Sequence, residues 1–147
     1  MSTESVICII GGAVIVFLCY LLFRVVRKRR HKPELIDELE GHDFEDYCAG
    51  LLERNGFYDV QVTKGSGDYG LDILAERDGI TYGIQCKRYD KPIGVGAVQQ
   101  VYAGRDYYGR MVGAVMTNQY FTDAAVKMAR VLNVLLWDRT YIEEWDG

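Results

Sequence analysis

Apolar residues run through this chain in three patterns. From Val6 to Phe23 they form an uninterrupted stretch of 18 residues with no charge. Farther on they are periodic: Phe44, Tyr47, Cys48, Leu51 and Leu52 follow the i, i+3, i+4, i+7, i+8 spacing of an amphipathic helix. That predicts a helix over 43–55, with Asp43 as its N-cap and Asn55-Gly56 as its stop. Tyr58 to Lys64 alternates as a strand, with Val60 and Val62 on one face. A glycine-rich loop over 65–70 follows, and then two alternating runs separated by Asp78-Gly79. Residues 95–108 predict a second helix with Val95, Val98, Val101 and Tyr102 inward, and 111–117 an apolar strand. Thr122 caps a third helix bearing Ala125, Val126, Ala129 and Leu132, and 134–137 is a last short strand. Helix, three strands, helix, strand, helix, strand reads as an α/β fold: a mixed sheet flanked by helices.

Asp78-Gly79 has a further consequence. A type I′ turn needs positive φ at both central residues, which this dipeptide supplies. Arg77 then pairs with Ile80, and the same register sets Asp72 opposite Gln85. Directly opposed side chains have Cβ atoms about 4.5–5.5 Å apart on one face of a sheet. Lys87 is the diagonal neighbour on that face, while Leu71, Ile73 and Ala75 against Cys86, Ile84 and Tyr82 make the opposite face a core. A carboxylate, an amide oxygen and an ammonium so grouped can hold a divalent cation and steady a phosphate. Alone, Lys87 would be a snorkelling lysine; its grouping with Asp72 favours the chemical role.

The apolar stretch changes the picture next. As a helix of 18 residues it reaches roughly 27 Å, close to a hydrocarbon core of about 30 Å. A secretory signal peptide would need a positive region before the apolar one and a small-residue cleavage site. Here Glu4 precedes the stretch, and Arg24, Arg27, Lys28, Arg29, Arg30 and Lys32 follow it. The expectation is an uncleaved transmembrane helix over 6–23 with its N-terminus outside and the domain in the cytoplasm, a single-pass protein of the inner membrane. The basic run serves as a topology signal that also meets anionic headgroups. Residues 24–40 are then a juxtamembrane segment and linker, whose part 33–40 has room for a helical turn or two, and 41–147 the domain.

Charge narrows the partners. Residues 33–147 hold 11 Lys/Arg against 20 Asp/Glu, a net of −9. So acidic a domain does not coat itself with nucleic acid; any contact runs through a local strip, with Arg88, Lys91, Arg105 and Arg110 as candidates. The four cysteines form no CxxC pair, which speaks against a zinc site or disulfide framework and for reduced thiols. Two further residues depart from a plain core pattern. Glu45 stands beside the apolar stripe of the first helix, as a helix-dipole carboxylate or as a further ligand. Gln99 is four residues beyond Val95 and so points at the sheet, as a satisfied core amide or as part of the site.

Taken together, Gly-Ser-Gly-Asp-Tyr-Gly-Leu-Asp-Ile (65–73), Ile-Gln-Cys-Lys-Arg-Tyr (84–89) and Ala-Val-Gln (97–99) resemble the Mrr-type (type IV) restriction endonuclease domain, a branch of the PD-(D/E)xK nuclease superfamily. Phe-Glu at 44–45, Leu-Leu at 51–52, Gly-Phe at 56–57 and Thr-Asn…Phe-Thr over 117–122 fit as well, so the likeness covers 41–138. The superfamily's α-β-β-β-α-β core agrees with the element order above. Two positions depart from its name: Leu71 stands for Pro, and Gln85 for Asp or Glu, the Gln-x-Lys variant typical of this branch.

The resemblance implies hydrolysis of DNA phosphodiesters with Mg²⁺ or Mn²⁺, in defence against foreign or modified DNA. Asp72, Gln85 and the Cys86 carbonyl would be the metal ligands, Lys87 would orient water and neutralise charge, and Glu45 and Gln99 would support them. A double-strand cut would imply a homodimer. The rival expectation is a membrane-tethered module that keeps the nuclease fold and binds DNA without cutting.

Overall fold

The computed structural model describes residues 36–63 and 69–147. The apolar stretch 6–23, the basic run and most of the glycine-rich loop lie outside them; among the described residues no helix is long and apolar enough to cross a membrane.

The chain forms α1 (Gly41–Arg54), β1 (Tyr58–Val62), β2 (Ile73–Arg77), β3 (Ile80–Lys87), α2 (Val95–Tyr107), β4 (Val112–Thr117), α3 (Asp123–Leu132), β5 (Val134–Trp137) and α4 (Arg139–Asp146). The five strands make one sheet in chain order, β1-β2-β3-β4-β5. The first three are antiparallel and β3-β4-β5 parallel; the tight turn at 78–79 joins β2 to β3, a longer loop joins β1 to β2, and helical crossovers join the parallel strands. The turn at 78–79 forms as expected, with φ of 54° at Asp78 and 76° at Gly79. It sets Arg77 opposite Ile80 and Ile73 opposite Ile84.

Both faces of the sheet are buried. On the first, Phe44, Cys48, Leu51 and Leu52 of α1 and Ile142 of α4 meet Ile73, Ile84, Cys86 and Met116. On the second, Val98 and Val101 of α2 and Ala125 and Ala129 of α3 meet Leu71 and Val115. Leu71 is the residue whose side differs from the alternation, and the cause is the backbone of Asp72. In a regular strand both backbone groups of one residue point to the same neighbour. Here the Asp72 N–H donates to the Ile84 carbonyl (2.8 Å) on β3, while its carbonyl accepts from Thr63 N (2.8 Å) beyond β1. The chain twists at that residue and Leu71 crosses to the second face.

Several elements differ from their sequence-based outlines. The N-cap of α1 is Glu40 rather than Asp43, and it makes no side-chain cap bond. Thr122 does cap α3, accepting from Ala125 N at 3.2 Å. Tyr102 is exposed on α2 instead of inward. The sequence reading missed α4, although Asp138 accepts from Thr140 N at 2.9 Å as an N-cap should.

Residues 36–40 belong to the domain rather than to a linker. Ile36 is 2% exposed, in the first core. Asp37 accepts from Asn118 Nδ2 (2.8 Å) and, on both carboxylate oxygens, from Arg139 Nη2. Burial pushes the Asp37 carboxyl up, but hydrogen bonds from Arg139 and Asn118 and the charges of Arg139 and Arg88 hold it below its ordinary 3.8. A carboxyl lowered in the folded state stabilises above its unfolded pKa, and the contribution disappears as pH falls through the folded value. Asp37→Asn should therefore melt a few degrees below the parent at pH 7, with the gap closing below pH 3.8. A gap that persists undiminished in acid would show that Asp37 acts through packing rather than charge.

Candidate active site

Asp72 lies just before β2, where the twist described above turns its carboxylate toward β3. One oxygen, Oδ2, accepts from Cys86 N at 2.7 Å. The carboxylate thus sits against the peptide that joins Gln85 to Cys86, one position beyond the simple cross-strand pairing with Gln85.

Gln85 is 3% exposed and points to the second face, beneath α2. Its Nε2 donates to Gln100 Oε1 at 3.0 Å. Its Oε1 is buried with no hydrogen-bond partner among the described residues. A buried amide oxygen left so costs about 1–3 kcal/mol, and a water or a cation would relieve that cost.

Lys87 ends β3 opposite Thr117 of β4, whose Oγ1 donates to the Lys87 carbonyl at 2.6 Å. Its side chain lines a cleft of about 300 Å³ with Tyr89, Lys91, Ile93, Gly96 and Gln100. No ion pair among the described residues engages Lys87 or Lys91. On the face that carries Gln85 and Lys87, α2 covers Gln85 and leaves the cleft at Lys87.

Glu45 comes in from α1 on the other side of β3. It pairs with His42 Nδ1 at 3.0 Å and is close enough to act on Cys86. The Cys86 thiol is pushed well above its ordinary value by hydrogen bonding with Cys48, by burial, and by the charges of Asp72 and Glu45. It stays a neutral thiol in the first core, which leaves its backbone as the part able to serve the site.

The glutamine of α2 that bonds Gln85 is Gln100 rather than Gln99, although both are exposed overall. The buried line of α2 runs through Ala97, Val98, Val101 and Gly104, so position 100 flanks the sheet and position 99 turns away. The i+4 count from Val95 missed this because Val95 is itself only half-buried. Among the proposed DNA contacts, Arg88 is committed internally, to Asp90 (3.0 Å) and to the Asp37 carbonyl. Arg105 pairs with Asp106 at 2.9 Å and lies over the Tyr102 ring at 4.7 Å. Arg110 buries its Nε. Lys91 remains exposed at the cleft.

Asn118 entered the sequence reading only within the Thr-Asn motif, with no role assigned. Buried behind the site, it accepts from Tyr89 N (3.0 Å) and donates to the Tyr89 carbonyl (3.0 Å), fixing the segment after Lys87. Its signal was a polar residue directly after the apolar run Val112–Thr117.

The donors suit a hard cation. Mg²⁺ takes oxygen ligands, and the Asp72 carboxylate, the unpartnered Gln85 Oε1 and the Cys86 carbonyl are oxygens carried by the residue just before β2 and by β3. Among the described residues no group of three or more His, Cys, Asp or Glu side chains could hold a metal. A cation here would rest on one carboxylate and neutral oxygens, with modest affinity.

A sequence profile described as restriction endonuclease, the Mrr catalytic type, matches residues 36–145. An uncharacterized protein of Archaeoglobus fulgidus is 30% identical over 104 residues, which is 65% of this chain and 60% of that protein. Among solved structures, the protein of unknown function AF1548 is similar with a TM-score of 0.56 at 28% identity, over 66% of this chain and 57% of that one. AspBHI, a DNA modification-dependent restriction endonuclease, is similar with a TM-score of 0.57 at 17% identity, over 77% of this chain and 33% of that one. The last likeness is one of fold.

Proposed function

From the premise that this chain belongs to the Mrr-type restriction endonuclease family, we propose that it is a divalent-metal-dependent DNA endonuclease, acting in defence and held at the membrane by residues 6–23. The observation that carries the reading is the buried, unpartnered Gln85 Oε1 next to the strand position where the Asp72 carboxylate docks, with the uncommitted Lys87 ammonium two residues on.

Asp72, Gln85 and the Cys86 carbonyl would hold Mg²⁺ or Mn²⁺, which supplies Lewis-acid stabilisation of charge on the phosphate. Lys87 lines the cleft with its ammonium. It donates to a phosphate oxygen or to the attacking water, and it opposes the negative charge that grows as water adds to phosphorus and a P–O ester bond breaks. Gln100 fixes the Gln85 amide through Nε2 and so keeps the oxygen turned to the site. Glu45 adds negative charge from α1. Asn118 holds the backbone at Tyr89 and keeps Lys87 and Lys91 on one wall.

Supercoiled-plasmid nicking by the purified protein tests this, with Mg²⁺ or Mn²⁺ titrated from an EDTA-treated start. Nicking should appear with the metal and vanish with EDTA. Gln85→Glu should move half-maximal activity to about tenfold lower Mg²⁺, because a second carboxylate adds charge to a hard-cation site; a shift to higher Mg²⁺ would remove Gln85 from the ligand set. The single carboxylate also favours one rival, a DNA-binding sensor of the same fold that does not cut. DNA binding without nicking at every metal concentration would establish it.

A further inference from the structure

Tyr69 and Tyr107 stack on each other with ring centroids 3.9 Å apart and 27° between planes. Both are open to solvent, 59% and 61% exposed, and neither belongs to a core cluster. Yet the pair is firmly built. Gly104 lets the chain at Tyr69 approach so closely that a Cβ there would lie 2.6 Å from the Tyr69 carbonyl. Tyr108, the residue just past α2, braces Tyr107 edge-on at 5.2 Å and 82°. Tyr69 itself holds a φ of 46°, in the left-handed region that bulky residues rarely adopt.

The pair is also tied to the active site. Gly70, which follows Tyr69, lies against Gln100, with 3.1 Å from an added Cβ to the Gln100 carbonyl, and Gln100 bonds Gln85. Asp72 is three residues from Tyr69, a reach of at most about 11 Å, or about three nucleotides at the rise of a stacked strand.

We propose that Tyr69 and Tyr107 form a stacking platform for an unpaired base, so that the substrate is DNA with a single-stranded or locally opened stretch beside the scissile phosphate. This rests on the nuclease reading above. The charge balance supports it: residues 33–147 are net −9, and Arg88 and Arg105 are tied to carboxylates. Phosphate attraction is scarce, and base stacking on an aromatic face does not depend on charge or sequence.

The full-length protein in EDTA, where nothing is cut, is titrated against a labelled single-stranded oligonucleotide and against its duplex, read by fluorescence anisotropy. Tyr107→Ala should weaken single-strand binding about tenfold or more and duplex binding less than about twofold, and Tyr107→Trp should retain both. Tyr69→Ala, on the opposite side of the stack, should repeat the selective loss, so damage to α2 cannot imitate it. Equal loss on both DNAs overturns the platform, and so does no loss on either, which would leave the tyrosines as protein-contact residues. A parent that binds neither DNA sinks the nuclease reading, and the platform with it.

Discussion

Asp72→Asn and Lys87→Ala are each expected to reduce metal-dependent nicking by at least about a thousandfold, the scale on which loss of a charged group at the reacting centre is felt. Asparagine is the informative replacement at 72. Its amide oxygen can still accept from Cys86 N, the 2.7 Å bond that docks the residue on β3, while the charge that would hold a cation is gone. Alanine there removes both and mixes chemistry with folding. Lys87 is half-buried in the cleft wall, so its truncation spares both cores. Both variants should melt within a few degrees of the parent. If either purified variant nicks plasmid at the parental rate, that residue has no part in the chemistry. If it loses activity only together with its fold, the readout is structural and the mechanism gains nothing.

Leu71→Ala should cost about 2–5 kcal/mol, the range for a fully buried leucine, and lower the melting temperature by about 10 °C or more. Leu71 has no exposed surface. It fills a slot that two glycines open: a Cβ on Gly83 would lie 2.5 Å from its Cδ1, and one on Gly104 2.8 Å from its Cγ. With the slot emptied, α2 loses its seat on β3 just where Gln100 meets Gln85. Activity should fall further than the unfolded fraction accounts for, and nicking at a temperature well below the melt separates the two. A melting shift under about 2 °C would mean that the slot collapses without cost and that α2 is positioned by something else.

The same residue marks the boundary of what could be read from the chain. Alternation assigned Leu71 to the same core face as Ile73 and Ala75; all three are buried, but Leu71 lies on the other face. Alternation failed at Leu71 because Asp72 bonds to β3 through its N–H and to the β1 side through its carbonyl. That twist depends on three segments at once and leaves no local trace. Rotation of α2 is a similar case. Apolar spacing foretold a helix with Val98 and Val101 inward, but it did not distinguish Gln99 from Gln100, since the glycines beneath the helix decide how it seats. The pairing of two residues of the basic strip was equally illegible: Asp90 and Asp106, near in sequence, engage the guanidinium groups of Arg88 and Arg105, and for Arg88 Asp37 adds its carbonyl from 51 residues away.

What the sequence determined unaided is the order of elements from the first helix to the last strand, the turn at Asp78-Gly79 and, through that turn, the register of β2 on β3 that sets Ile73 opposite Ile84. These follow from local rules: periodicity, caps, and a dipeptide that accepts positive φ. The tertiary structure alone decided which face Leu71 takes, which glutamine touches Gln85, the docking of Ile36 and Asp37, and the stacking of Tyr69 on Tyr107. Each of those depends on packing between segments distant in sequence, where small residues and backbone twists set how near two elements can come.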